Sequence, residues 1–274
     1  MVGWISLDFI GHVDAFPSGA GSVMAKEFDV ACGGRAANQA MALTAIEGDV
    51  ALIARVNSDQ HAGLLQDELL ELGVMSEYVT QAPSATGLRL ITEQPDGEQM
   101  IVVYRGANDY LTVDDLNRRT EAFAAAKAVG VTTEPPGSVT LRALELARQA
   151  GVPTVLTHNA GSQASECVLA AADVVVVSDA TCAGLLDPGV TRRQPEHAVR
   201  ALSQLGAPAV VLLTPDRAML ARGGDARQVP SPGKLDSEDA VDAFAAGLLQ
   251  GLAAGESLET AVIRGVRVSC LLID

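Results

Sequence analysis

The second half of the chain alternates short runs of valine and leucine with helix-like segments, and this alternation constrains the fold more than any other feature. From Thr112 onwards, strand-like runs such as "VPTVLT" and "DVVVVS" are separated by stretches such as "VTLRALELARQAG". Short continuous apolar runs are typical of strands that are buried on both faces, and parallel strands need helical crossovers between them. The sequence therefore predicts an α/β fold with a doubly wound, mostly parallel sheet flanked by helices.

Two earlier segments have a different period. Residues 9–31 and 86–104 alternate between apolar and polar residues, and "PDG" joins two strand-like runs in the second segment. A period of two is typical of strands with one solvated face, and the short polar turn predicts a hairpin. We expect these segments to form a small β-sheet that acts as a lid. No linker or internal repeat divides the chain, so residues 1–274 are predicted to be a single domain.

The charge and the apolar pattern exclude several classes of partner. The net charge of -15 supports solubility and opposes binding to nucleic acids and anionic membranes. No apolar run approaches the roughly 20 residues of a membrane-spanning helix. The four cysteines lack metal-binding spacing, and we interpret them as small buried residues of a reduced protein. These features predict a cytoplasmic protein, and no metal ligand is assigned.

Polar residues follow several predicted strands, and ligands of open α/β sheets bind at such positions. Asp8 ends the first strand, and Glu134, Ser178 and Thr214 end or follow later strands. Gly33, Gly34 and Asn38 open a helix, and Asp242 is placed in the first turn of the last long helix. Each also has a structural interpretation: Asp8 as a turn residue and Asn38 as a solvated helix residue, for example. Asp239 is a candidate helix N-cap, and Asp242 a favourable charge in the first helical turn.

Three stretches of the chain resemble the PfkB carbohydrate kinases, the ribokinase-like family. The first, "GGRAANQAMALTAIEGDVALIARVNSDQHAGLLQDELLELGV", is similar to the amino-terminal signature, and the last, "DSEDAVDAFAAGLLQGLAAGESLETAV", to the carboxy-terminal signature. The stretch between them is "VVYRGANDYLTVDDL". The order and spacing agree over nearly the whole chain. The resemblance implies a ribokinase-like fold with a β lid, and transfer of the ATP γ-phosphoryl group to a sugar hydroxyl with the help of Mg²⁺.

The resemblance also implies roles for individual residues on the sugar side. The positions that match sugar-binding residues of the family are Asp8, Gly33, Gly34, Asn38 and, in a looser alignment, Glu134. Asp242 matches the catalytic base, which takes the proton of the acceptor hydroxyl.

The nucleotide side departs from the family pattern. Asp239, Ala240, Val241 and Asp242 stand where the family has Gly-Ala-Gly-Asp, so both anion-hole glycines are replaced. We expect Val241 to resist the positive φ that glycine allows, and Asp239 to repel the γ-phosphate.

Two further nucleotide motifs are altered. Ser178 and Thr181 replace the ends of an Asn-x-x-Glu motif, and Thr214 begins "TPDRAM" in place of a Gly-x-x-Gly. The chain ends at Asp274, earlier than is usual in the family, so we expect a closing segment around the nucleotide to be absent.

Two functions therefore stay open, beside a different reaction on the same scaffold. The first is a divergent sugar kinase that uses ATP and Mg²⁺, with Asp239 or Glu238 recruiting the metal. The second is a catalytically inactive sugar-binding or regulatory pseudokinase of the same fold. Arg89 and Arg105, on predicted lid strands, either pair with an anionic group on the sugar or are exposed charges. Family members pair through their lids, and the sequence leaves a homodimer and a monomer open.

Overall fold

A computed structural model describes residues 1–19, 21–159, 161–162, 164–182, 185–186 and 195–273. The strands within these residues are β1 Ser6–His12, β2 Glu27–Gly33, β3 Ala54–Val56, β4 Val79–Gln81, β5 Leu88–Glu93, β6 Gln99–Tyr104, β7 Val129–Thr132, β8 Thr154–Thr157, β9 Val174–Ser178, β10 Ala209–Thr214, β11 Arg217–Arg222 and β12 Asp225–Pro230. The helices are α1 Arg35–Ala45, α2 Gln60–Glu71, α3 Val113–Asn117, α4 Thr120–Ala125, α5 Gly137–Gln149, α6 Glu166–Ala171, α7 Asp179–Cys182, α8 Pro195–Ser203, α9 Glu238–Ala253 and α10 Leu258–Leu272, with a 3-10 turn at Gly106–Tyr110.

The large sheet has six strands in the order β12-β11-β10-β9-β8-β7. Strands β7 to β10 are parallel, as the alternation of apolar runs and helices predicts. Strands β11 and β12 extend the sheet as an antiparallel hairpin, which the pattern of apolar runs did not indicate. The predicted α/β fold with a mostly parallel sheet is therefore confirmed.

The run of valines in β9 shows how the sequence places this sheet between two helical layers. Val174 and Val176 belong to one apolar cluster, which includes Phe244 of α9. Val175 and Val177 belong to a second cluster, which includes Leu144 of α5. Because successive side chains of a strand point to opposite faces, a continuous apolar run is buried on both sides.

A second sheet has four strands in the order β2-β1-β5-β6, and we call it the small sheet. Its strands come from the two segments predicted to form the lid, and β5 and β6 form the predicted hairpin with Gly97 at φ 85°. The boundaries differ: β1 begins at Ser6 and continues past Asp8 to His12. The expectation that Asp8 ends a strand was therefore wrong. Asp8 lies within a strand of the small sheet, not at the end of a strand of the large sheet. That the small sheet acts as a lid stays a prediction.

Two further findings concern the helices and the cysteines. Within the described ranges, no helix has both the length and the apolar character needed to cross a membrane. All four cysteines are free thiols. Cys32 and Cys182 are buried as expected, but Cys167 is exposed, so the expectation was wrong for that residue.

Candidate active site

Helix α9 begins two residues earlier than the predicted N-cap, Asp239, suggested. The hydroxyl of Ser237 accepts a hydrogen bond from the backbone N–H of Ala240 at 3.2 Å, which makes Ser237 the N-cap. Asp239 is therefore not the cap but the second residue of the helix. Asp242 is the fifth residue, so it lies beyond the first turn in which we expected it. A serine cap followed by Glu238 and Asp239 starts a helix well, because acidic groups interact favourably with its N-terminal dipole.

Asp242 is held by two side chains of α1. Gln39 donates its Nε2 proton to Oδ1 at 2.8 Å, and the Arg35 Nε atom lies 3.2 Å from the same oxygen. The other oxygen, Oδ2, is buried and has no hydrogen-bond partner among the described residues. Burial raises the pKa of Asp242 to about 7, although Arg35 acts in the opposite direction. A fixed carboxyl with a pKa near neutrality and one unpaired oxygen is chemically suited to accept a proton.

The two consecutive glycines let the junction of β2 and α1 lie close to Asp8 and Trp4. A Cβ atom on Gly33 would lie 2.1 Å from Oδ2 of Asp8, so only glycine leaves room for that carboxylate. Gly34 has a φ of 90°, and a Cβ atom there would lie 2.6 Å from the carbonyl oxygen of Trp4. Both positions therefore require glycine for steric reasons.

Asp8 is fixed by polar neighbours on the small sheet. Ser6 donates its hydroxyl proton to Oδ1 at 2.7 Å, and Nη1 of Arg89 lies 3.5 Å from Oδ2. Burial raises the pKa of Asp8, and Arg89 partly offsets this effect. Asp8 thus presents its carboxyl group from the small sheet, while Asp242 presents its own from α9.

Glu134 adds a third carboxyl group to the site, and Arg35 lies close enough to interact with it. Glu134 follows β7 and accepts a hydrogen bond from the Thr132 hydroxyl at 3.2 Å. Burial raises the pKa of Glu134 to about 7, with Arg35 opposing the shift and Asp242 adding to it. With its side-chain oxygen turned toward Arg35, Asn159 accepts from Nε at 3.1 Å. Charges from β7, α1 and α9 therefore interact within one site.

Asn38 is half-buried near the start of α1, close in sequence to both side chains that hold Asp242. Its backbone N–H donates to the Gly34 carbonyl at 2.8 Å. Its side-chain amide makes no hydrogen bond within the described part of the chain, so it can donate to and accept from a ligand.

Sequence reasoning missed Arg35 and Gln39, although both lie in the amino-terminal signature. They are four residues apart, which places them on the same face of α1. Both are buried, and a buried arginine requires charged or polar partners. That spacing within "GGRAANQ" is the signal that would have identified them.

Arg89 and Arg105, the two arginines assigned to the predicted lid strands, differ in exposure. Arg89 is not an exposed charge, since its side chain is 13% exposed and pairs with Asp8 and Glu238. Arg105 is exposed, lies 5.4 Å from the centre of the Trp4 ring, and is near Asp109. Only Arg89 is part of the site.

The backbone at the start of α9 is a closed helical turn. The N–H of Ala240 donates to the Ser237 hydroxyl, and the N–H of Val241 donates to the Ser237 carbonyl at 3.0 Å. Among the described residues that are not glycine, only Glu47 has a positive φ. Val241 is therefore unstrained, and the expected conflict with a positive φ is absent. Asp239 is exposed beside this turn.

Ser178 and Thr214 lie at the ends of β9 and β10, away from the contacts of Asp242. The Thr181 hydroxyl accepts from the N–H of Ser178 at 2.9 Å, and Thr214 donates to Asp216 at 3.2 Å. Thr214 borders a cleft of about 550 Å³. The described residues that line it are Asp179, Pro195, Glu196, Thr214, Pro215, Asp216 and Arg217. The structure thus separates these two residues from the carboxyl cluster.

Comparison with known proteins finds similarity to carbohydrate kinases over the whole chain. A profile of the pfkB family carbohydrate kinases matches residues 1–274. A ribokinase of Staphylococcus aureus is 28% identical over 163 residues, which cover 59% of this chain and 54% of that protein. The ribokinase of Haemophilus influenzae is 24% identical over 280 residues, which cover 100% of this chain and 91% of that protein. In the first curated relatives, the matched region spans about half of their length or less.

A solved structure supports the fold. The structure of Arabidopsis thaliana ribokinase complexed with ribose and ATP superposes with a TM-score of 0.81. It is 23% identical, and the match covers 99% of this chain and 91% of that one. Since the family profile matches the whole chain, the protein belongs to the pfkB family carbohydrate kinases.

Proposed function

We propose that the protein is a sugar kinase that transfers the γ-phosphoryl group of ATP to a hydroxyl group of a sugar or sugar derivative. The observation that carries this proposal is the environment of Asp242. Its carboxyl group is buried at the start of α9, has a pKa raised to about 7, and keeps Oδ2 unpaired. In the proposed reaction, Oδ2 accepts the proton of the sugar hydroxyl as the hydroxyl oxygen attacks the γ-phosphorus. The bond between the γ-phosphorus and the β–γ bridging oxygen breaks, and ADP leaves.

Arg35 and Gln39 act on Asp242 as positioning residues. Both contact Oδ1, so they orient the carboxyl group and leave Oδ2 for the substrate. The positive charge of Arg35 also stabilises the ionised form, which is the form that accepts a proton.

The sugar is proposed to lie between the small sheet and α1. Asp8, Glu134 and the amide of Asn38 offer acceptors and donors in fixed directions, which suits a ligand with several hydroxyl groups. Gly33 and Gly34 contribute by leaving room for the Asp8 carboxylate and for the backbone at Trp4.

ATP is proposed as the phosphoryl donor. The support comes from family membership and from the similarity to Arabidopsis ribokinase, which was solved in complex with ribose and ATP. The N-terminus of α9 also favours negative charge through its helix dipole, and the cleft beside Thr214 offers space on the nucleotide side.

The side chains described here do not fit a Mg²⁺ site made by protein ligands alone. No group of three or more His, Cys, Asp or Glu residues is arranged to hold a metal ion in that part of the chain. Glu238, one of the two expected recruiters, is engaged by Arg89. Any Mg²⁺ is therefore proposed to arrive with the nucleotide phosphates, and no step above depends on it.

A second candidate function is sugar binding without ATP use. The observation that favours it is the closed turn at the start of α9, where Ser237 occupies the N–H groups of Ala240 and Val241. The exposed carboxylate of Asp239 adds negative charge at the same end of the helix.

Calorimetric titration with ATP, with and without Mg²⁺, separates the two candidates. Saturable binding of ATP that depends on Mg²⁺, followed by ADP formation with one member of a sugar panel, is expected for the kinase. No binding at millimolar ATP, together with saturable binding of a sugar, would support the second candidate and refute the first.

We also propose that the protein forms a homodimer through the small sheet. The register places Val30, Phe9, Leu90 and Val102 in one row on the same face. Val30, Leu90 and Val102 are 47%, 53% and 60% exposed, although all three are apolar. Asp8 and Arg89 lie one residue away on the opposite face, which faces the site. A second copy of the chain would cover the apolar face and leave the site accessible.

A further inference from the structure

Two guanidinium groups from different elements meet at one carboxylate near the start of α9. Nη2 of Arg89, on β5, lies 3.3 Å from Oε2 of Glu238. Nη1 of Arg35, on α1, lies 4.0 Å from the same oxygen and donates to the Glu238 carbonyl at 3.2 Å. One carboxylate oxygen is therefore shared by two positive charges.

The two arginines form the fixed part of this cluster, and the carboxylate forms the exposed part. The Arg35 side chain is 6% exposed and the Arg89 side chain 13% exposed, whereas that of Glu238 is 49% exposed. Each arginine also has a second carboxylate partner: Asp242 lies 3.2 Å from Arg35, and Asp8 lies 3.5 Å from Arg89. These contacts hold the guanidinium groups in place even when Glu238 moves into solvent.

Guanidinium groups bind carboxylates and phosphates through the same planar array of N–H donors. A carboxylate held by two arginines therefore marks a place where a phosphate group can bind. The backbone N–H groups of Ala240 and Val241 do not offer a phosphate-binding site instead, because they already donate to Ser237.

We propose that Arg35 and Arg89 form a phosphate-binding site, and that the Glu238 carboxylate occupies it as an internal competitor. The ligand class is a phosphate or polyphosphate group, which displaces the Glu238 side chain into solvent. This inference rests on the proposed function, since the bound group would be a phosphate of the nucleotide that donates it. The two arginines would then stabilise negative charge that backbone N–H groups cannot reach.

The test is calorimetric titration with inorganic pyrophosphate, in the absence of sugar and Mg²⁺ and at constant ionic strength. Glu238→Gln removes the competing charge and keeps the shape of the side chain. We expect it to bind pyrophosphate at least about tenfold more tightly than the wild type, which corresponds to about 1.4 kcal/mol. Asp239→Asn is the matched control, because it removes the same charge from the next residue. Asp239 interacts with both arginines at longer range but has no ion pair within 4.0 Å among the described residues, so we expect a gain of no more than about threefold, clearly smaller than that of Glu238→Gln.

A double variant tests the role of Arg89. In Glu238→Gln with Arg89→Gln, the gain in pyrophosphate affinity should disappear. The proposal is overturned if Glu238→Gln gives no gain, if Asp239→Asn gives an equal gain, or if the double variant keeps the gain. Thermal unfolding of each variant shows whether it is folded at the titration temperature.

The experiments distinguish a failure of this phosphate site from a failure of the proposed kinase function. A gain in Glu238→Gln without any sugar phosphorylation would support this phosphate site and contradict the kinase. Sugar phosphorylation with equal behaviour of Glu238→Gln and Asp239→Asn would support the kinase and contradict this site.

Discussion

The Nε atom of Arg35 lies 3.2 Å from Oδ1 of Asp242, and the two side chains are only 6% and 3% exposed. This ion pair joins the start of α1 to the start of α9 within the core of the site. A buried pair of this kind fixes geometry more reliably than it adds stability, because desolvation offsets much of the attraction. Its role is therefore best tested through the reaction that we propose for Asp242.

Asp242→Asn is expected to remove most phosphoryl transfer and to leave sugar binding largely intact. The amide cannot accept the hydroxyl proton, and a positioned general base contributes a factor of about 10² to 10⁴. Steady-state kinetics give kcat, and calorimetry with the sugar gives its Kd. Because Arg35 loses a charged partner, thermal unfolding must first show that the variant is folded. Unchanged kcat in a folded variant would exclude Asp242 as the base.

The proposed base also predicts how turnover depends on pH. Burial raises the pKa of Asp242 to about 7, and only the ionised carboxylate accepts a proton. The value of kcat/KM should therefore rise with pH up to about 7 and level off above it. Glu134 also has a pKa raised to about 7 by burial, so its contribution must be separated. If kcat/KM of Glu134→Gln rises with pH in the same way, the rise is due to the ionisation of Asp242. A flat profile in that variant would assign the rise to Glu134.

Glu134→Gln should also change how stability depends on pH. Burial raises the folded-state pKa of Glu134 from 4.5 to about 7, so the folded protein keeps a proton that the unfolded chain loses. The contribution of this group to stability is present below about pH 4.5 and is lost as the pH rises to about 7. The variant, which has no such group, should therefore gain stability relative to the wild type between pH 5 and pH 8, as measured by urea unfolding.

Asp115→Asn is the control for that experiment. Burial favours the protonated form of Asp115, but hydrogen bonds from Arg55 and Thr112 outweigh it and lower the pKa below 3.8. Asp115 is therefore ionised in both the folded and the unfolded state at pH 5 and at pH 8. The stability difference between this variant and the wild type should be the same at the two pH values. If the stability difference between Glu134→Gln and the wild type were also the same at pH 5 and at pH 8, Glu134 would not hold its proton near neutrality.

The fold was predictable from the sequence because its signals are local. The valine run of β9 is buried on both faces, and the "PDG" turn forms a hairpin, as each pattern indicated. Chain order alone could not show that β1 pairs with β2 and β5 instead of joining the large sheet. That pairing depends on contacts between distant residues, so Asp8 was given the wrong place in its strand.

The site was predictable for its carboxylates and not for the cations that hold them. Asp8, Glu134 and Asp242 were recognised as candidates, and the structure joins them through Arg35 and Arg89. Arg35 was overlooked because its spacing of four residues from Gln39 shows a shared helix face but not that this face is buried. Its significance comes from burial, which brings it next to a helix more than 200 residues later in the chain.

Gly33→Ala should weaken sugar binding by displacing Asp8. The added Cβ would lie 2.1 Å from the Asp8 carboxylate oxygen, so the carboxyl group must move. We expect roughly tenfold weaker sugar binding, because one charge-assisted hydrogen bond contributes about 1.5 kcal/mol or more. Gly63→Ala in α2 is the control, since nothing lies within 4 Å of its added Cβ and alanine favours a helix. Equal sugar affinity in the two variants would show that Asp8 is not a sugar ligand.

Leu90→Lys should separate the two copies of the proposed dimer. Leu90 is 53% exposed on the apolar face of the small sheet, between Val30 and Val102. Burial of one leucine contributes about 1.5–3 kcal/mol, and a two-fold symmetric interface would contain the residue twice. Sedimentation over a range of concentrations should show two copies for the wild type and one for the variant. Leu70→Lys, at a 74% exposed position of α2, should remain a dimer. A wild-type protein that sediments as one copy throughout that range would refute the dimer, whereas dissociation of both variants would place the contact outside the small sheet.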